Sequence, residues 1–141
     1  MTDSEPTPRH SEVAQPDRQR DAAEVLRNYL RLIQDQQFDQ LVSLYATDAI
    51  VTHPLDGAQT VLRGTAELQG HFDLLARLGL QMKVNNLRLH QTTDPETVLA
   101  EFDYDGTDGQ GHHIHRRNVF VWQVRNGHVI EARDYSHDLL V

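Results

Sequence analysis

The chain has 141 residues, enough for one domain and little more. Thirteen Lys and Arg against twenty-one Asp and Glu give a formal charge of −8, and the basic residues are scattered, which argues against nucleic acid and anionic membrane surfaces as partners. The absence of cysteine excludes a disulfide framework, a thiolate nucleophile and a zinc–thiolate site together.

Residues 1–17 contain Pro6, Pro8 and Pro16 and, among aliphatic side chains larger than alanine, only Val13, so this stretch reads as a disordered leader to a single domain over residues 18–141. It lacks the charged-then-apolar order of a signal peptide. No apolar run approaches the roughly 18 residues of a membrane span, so a cytoplasmic protein is expected. From Arg18 to about Gln36, Ala22, Val25, Leu26, Tyr29, Leu30 and Ile33 recur at helical spacing with one core-facing stripe. A short helix over Phe38–Tyr45 follows, then a brief strand over Ala49–His53 stopped by Pro54, and a loop over Leu55–Arg63. Thr65 reads as the N-cap of a third helix carrying Leu68, His71, Phe72, Leu75 and Leu78 and ending at Gly79.

The remainder reads as strand: Leu80–Gln91, Thr97–Asp105, His112–Val124 and His128–Tyr135. Asn126-Gly127 between the last two predicts a type I′ hairpin turn, which needs positive φ at both central residues. Helices first and a consecutive antiparallel meander afterwards define an α+β fold, with three N-terminal helices gathered on the concave face of a curved antiparallel sheet.

Strand alternation then assigns the inner face. Val98, Ala100, Phe102 and Tyr104 share one side; Glu101, Asp103 and Asp105 take the other, with Leu99 as the exception. On the last strand Ile130, Ala132, Asp134 and Ser136 share a side, which puts an acid on the more apolar face, where an unpaired carboxylate is costly. Tyr29, His71 and His53 also fall on inward positions. Two readings stand for these four: satisfied core residues, with Asp134 paired to a cation such as Arg116 or reaching solvent, or a set converging on one interior.

The pattern resembles the nuclear-transport-factor-2-like (cystatin-like) superfamily of cone-shaped α+β domains, which includes ketosteroid isomerase and the SnoaL-like polyketide cyclases. The resemblance runs from about Arg18 to His137. It is carried by Tyr29, by Leu44-Tyr45-Ala46-Thr47-Asp48-Ala49 leading to Val51-Thr52-His53-Pro54, by Arg63-Gly64, by Val119 through Gly127, and by Arg133-Asp134-Tyr135. Tyr29 matches the isomerase's oxyanion-hole tyrosine. His53 stands where the isomerase has its catalytic aspartate, and Phe120 where it has a protonated aspartate. The SnoaL-like cyclases match better, since their acid/base carboxylate on the last strand corresponds to Asp134. The PhzA/PhzB proteins of phenazine biosynthesis carry a histidine matching His71 and a glutamate where Asp134 stands.

Together these imply an acid/base enzyme working without a cofactor on a small, largely apolar carbonyl or hydroxy compound. In this reading Asp134 is the acid/base, His71 and His53 assist, and Tyr29 polarises the substrate oxygen. Phe102, Tyr104, Arg116, Asn118, Phe120 and Trp122 are expected to contact the bound molecule. His113 and His115 share a strand face as metal ligands would, but no acid follows closely and Gly109 and Gly111 place them near an exposed turn, so no metal site is assigned. Strand parity with Phe120 makes Arg116 the inward member of Arg116-Arg117, where it would pair with Asp134 or bind an acidic substrate, but a rim position is the preferred reading. The competing function is a non-catalytic binding or dimerisation module of the same fold. Val119, Val121, Phe120 and Trp122 make both faces of one strand apolar, as a homodimer sheet surface would require.

Overall fold

Apolar side chains spaced along helix and strand close over a single core, and the strands bring the polar positions to one end of it. The structure, a computed structural model, describes residues 9–57 and 59–139, with side chains from Ala22 onward. Residues 1–8 of the expected leader lie outside these. Helix α1 spans Arg9–Gln34, beginning before the Arg18 that the apolar period predicts. Its early turns carry good helix formers such as Glu12, Ala14 and Gln15, but almost no apolar side chains to signal them in sequence. Ala22, Leu26, Tyr29, Leu30 and Ile33 are buried, and α1 lies across β3, β4 and β5. A 3₁₀ helix at Phe38–Leu44 follows, anchored by buried Phe38 and Leu41. Helix α2 spans Gly64–Arg77. Thr65 is not its cap: the first turn is closed instead by Glu67, whose Oε1 accepts the Arg63 N–H at 2.7 Å. Gly79, at φ 67°, ends the helix in the left-handed conformation that glycine adopts freely. Among the described residues no helix is long and apolar enough to cross a membrane.

Six strands form one sheet: β1 (Tyr45–His53), β2 (Thr60–Arg63), β3 (Gln81–Gln91), β4 (Thr97–Thr107), β5 (His113–Arg125) and β6 (His128–Asp138), in the order β2-β1-β6-β5-β4-β3. The meander β3 to β6 is antiparallel throughout, and Asn126 and Gly127 take φ of 53° and 77° at its last turn. Two features depart from the predicted pattern. Thr60–Arg63, expected as loop, pairs antiparallel with β1 as an edge strand; it is too short and too exposed to show alternation. And β1 joins β6 in parallel, Val51 opposite Ala132 and Thr52 opposite Arg133.

That parallel junction carries His53, the residue after Thr52, to the level of Asp134, the residue after Arg133. A register shift opposite Gln123 and Val124 leaves Ile130 without a partner, so Val129 and Ala132 both turn inward while Ile130 is only half-buried. Ile130 is therefore not a core neighbour of Asp134; the extra residue resets the alternation, as β-bulges do. Trp122, Phe102, Leu26 and Leu68 fill the core behind this region.

Candidate active site

A cavity of about 450 Å³ opens between α1, α2 and the concave face of the sheet. Its apolar wall is built by Ile33, Leu75, Leu80, Met82, Ile114 and Phe120; its polar side carries His53, His71, Tyr104, Arg116, Asn118 and Asp134. A wider, shallower depression of about 770 Å³ lies beside β3 and β4 and shares Met82 and His113 with it. Of these two, the cavity between the helices and the sheet is the one that holds the buried acid Asp134.

Asp134 is 6 % exposed. Its Oδ1 accepts the Trp122 indole N–H at 2.8 Å, and its Oδ2 stands 3.9 Å from His53 Nε2. Burial among apolar side chains disfavours the carboxylate and pushes its pKa up to about 7, although the Trp122 hydrogen bond pulls the other way. Burial also holds His53 below the ordinary imidazole range against the opposing pull of Asp56. His71 is lowered by the same cause, reinforced by His53 and again opposed by Asp56. The His53–Asp134 separation exceeds hydrogen-bond length and both groups favour their neutral forms, so this is an acid facing an imidazole across a gap rather than an ion pair. The His53 and His71 rings lie 5.4 Å apart, so the polar edge runs from Asp134 through His53 to His71. Asp56 extends the cavity lining beyond them; its N–H donates to the His53 carbonyl at 3.2 Å, tying the turn after β1 to the strand.

The four sequence-predicted catalytic positions do not all reach the cavity. His53, His71 and Asp134 line it. Tyr29 is buried one layer behind, its ring 5.0 Å from that of Trp122 and 6.1 Å from that of Phe120, and its hydroxyl bonded to Tyr104. Tyr104 is the phenol at the cavity surface, and burial keeps both hydroxyls protonated. Of the residues expected to contact a bound molecule, Tyr104, Arg116, Asn118 and Phe120 line the cavity. Phe102 and Trp122 are instead core residues supporting its floor, because their rings are covered on all sides.

Arg116 points inward but does not pair with Asp134. Its Nε donates to Ser136 Oγ at 2.7 Å and an Nη to the Ser136 carbonyl at 3.3 Å. Arg117, on the opposite face, grips Asp103 through Nε at 3.1 Å. The histidines after β4 separate: His112 faces Asp108 at 3.1 Å and His113 faces Asp105 at 2.7 Å. Among the described residues no group of three or more His, Asp or Glu is arranged to hold a metal ion. Asp56 and Met82 were not foreseen as part of the site. Asp56 sits in an aperiodic turn with no signal to find it, whereas Met82 follows the inward parity of β3.

Helices packed over the inner face of a curved six-stranded sheet define an α+β domain with the ketosteroid isomerase-like fold. Residues 26–132 match the SnoaL-like domain, and the chain belongs to that family. No curated protein matches it by sequence. Among solved structures it is similar to a Bacillus subtilis protein described only as a candidate isomerase, with 20 % identity over 84 % of this chain and 87 % of that one and a TM-score of 0.77. A phenazine biosynthesis-related protein from Pseudomonas aeruginosa gives 17 %, 86 %, 78 % and 0.72 in the same order. The Δ5-3-ketosteroid isomerase of a Mycobacterium species gives 19 %, 84 %, 98 % and 0.71. At these identities the likeness is one of fold.

Proposed function

We propose that this protein is a cofactor-independent acid/base enzyme that moves a proton on a small, largely apolar carbonyl or hydroxy compound held in the cavity, in an isomerisation, cyclisation, dehydration or condensation. The observation that carries this reading is the buried Asp134 carboxyl facing His53 across a 3.9 Å gap at the edge of an apolar cavity. A carboxyl that titrates near neutrality both takes and gives a proton at working pH. A substrate oxygen or a water beside the pair, within hydrogen-bond reach of both Asp134 Oδ2 and His53 Nε2, would complete the path to His53, and His71 continues it toward Asp56. Tyr104 offers its hydroxyl to an oxygen on which negative charge develops, and Tyr29 acts through Tyr104 rather than on the substrate itself.

The test is α-proton exchange of 1-indanone in D2O near neutral pH, followed by proton NMR. Exchange should be accelerated by the protein and fall by about a hundredfold or more in Asp134→Asn. Equal exchange in the two proteins, or an Asp134 that titrates in the ordinary carboxylate range, would favour a non-catalytic binding module. The reading includes a homodimer through the outer face of the sheet, where Val119 and Val121 are only half-buried; sedimentation velocity checks it by mass, and Val121→Lys should shift it toward the monomer.

A further inference from the structure

Asn118 is 1 % exposed and sits in the cavity wall. Its Nδ2 donates to the main-chain carbonyls of Phe102 at 3.4 Å and Arg116 at 3.3 Å. These two acceptors fix which way the amide faces, because turning it over would set Oδ1 against two carbonyl oxygens. In that orientation Oδ1 is the one buried side-chain polar atom, among the described residues, without a hydrogen-bond partner. A buried acceptor with no donor is unfavourable unless something supplies one, and the space beside Asn118 is the cavity.

Register then places this acceptor relative to the acid. Asn118 stands opposite Ser136 and Phe120 opposite Asp134, so Asn118 and Asp134 are diagonal neighbours on the inner face of β5 and β6, a spacing of roughly 7–8 Å between backbones. Tyr104 reaches the same region from β4, since Phe102 is opposite Asn118 and Tyr104 opposite Arg116. All three belong to the lining of the one cavity. We propose that Asn118 Oδ1 accepts a hydrogen bond from a hydroxyl on the molecule that Asp134 acts on, so that the substrate is a hydroxylated compound whose hydroxyl lies a few bonds from the reacting carbon. The proposal rests on reading the cavity as the substrate site. It favours compounds with a free O–H; ketones, ethers and plain hydrocarbons of the same shape leave Oδ1 unpaired and are held less tightly.

The experiment compares 1-indanol with 1-methoxyindane by calorimetry on the full chain at neutral pH. The alcohol should bind about tenfold more tightly or better. Asn118→Leu, which keeps the branched shape and removes the acceptor together with the amide donors, should erase the preference while leaving the ether bound. Asp134→Asn should keep it. On the unmodified protein, the Asn118 side-chain amide resonance should move with the alcohol and not with the ether, a readout independent of whether Asn118→Leu folds. Equal affinities for the two probes, binding of neither, a preference that survives Asn118→Leu or one that disappears with Asp134→Asn would overturn the proposal. Failure of the acid/base reading looks different: proton exchange unaffected by Asp134→Asn with the alcohol preference intact.

Discussion

The Trp122 indole N–H reaches Asp134 Oδ1 at 2.8 Å, and this hydrogen bond opposes the effect of burial on that carboxyl. Trp122→Phe removes the donor and keeps most of the ring. The Asp134 pKa should therefore rise above about 7, because the charged form loses its stabilising partner. A carbon-13 NMR titration of the Asp134 carboxyl reads this directly; an unchanged or lower pKa would show that the indole is irrelevant to the acid.

Asp134 also sets a pH dependence of stability. Its folded pKa, about 7, lies above the ordinary 3.8, so between those values the folded chain binds more protons than the unfolded chain. The penalty for burying the carboxylate is absent below the lower value, grows as pH rises through the window, and is complete above about pH 7. It is of the order of 4 kcal/mol at most. Asp134→Asn should be more stable than the unmodified protein at pH 8 by a few kcal/mol, with the advantage shrinking toward pH 4. Urea unfolding midpoints at several pH values test it.

The two histidines titrate with the opposite sign. Their folded pKa values are depressed, so the stability they contribute is present above the unfolded value of about 6.5 and is lost as pH falls below it. Because a charged His53 disfavours a charged His71, His53→Gln should raise the His71 pKa while burial still keeps it below the ordinary value. Nitrogen-15 imidazole shifts would detect the change, and a His71 pKa that stayed put would mean the rings are not coupled.

Gly106 tests the sheet beside the cavity. A Cβ built there would lie 1.9 Å from the Gln81 carbonyl and 2.8 Å from Met82 Cα, both main-chain atoms of β3. Gly106→Ala should lower stability by about 3 kcal/mol or more, since backbone rather than a flexible side chain must move. A melting temperature within two degrees or so of the unmodified protein would contradict this spacing.

Much of this was legible in advance where local periodicity coincides with burial. Val98, Ala100, Phe102 and Tyr104 are all buried, and Asn126-Gly127 makes its turn. What stayed hidden depends on partners distant in sequence. Nothing local in Ala49–His53 marks a parallel pairing with β6, and nothing in Thr60–Arg63 marks an edge strand. Helical spacing put Tyr29 on the correct side of α1, but it could not tell the cavity surface from the layer behind it, a distinction set by how Trp122 and Phe120 pack against the ring. Asp56 lacked any pattern, since a turn residue acquires its neighbours only when the chain has folded.

The parallel seam between β1 and β6 has a consequence for biosynthesis. During translation the two imidazoles leave the ribosome long before the acid they will face, because the strand that pairs with this edge of β1 is the last of the six. Until β6 slots between β1 and β5, His53 and His71 lack the Asp134 carboxyl beside them, and a chain ending before His128 would leave the central seam of the sheet open.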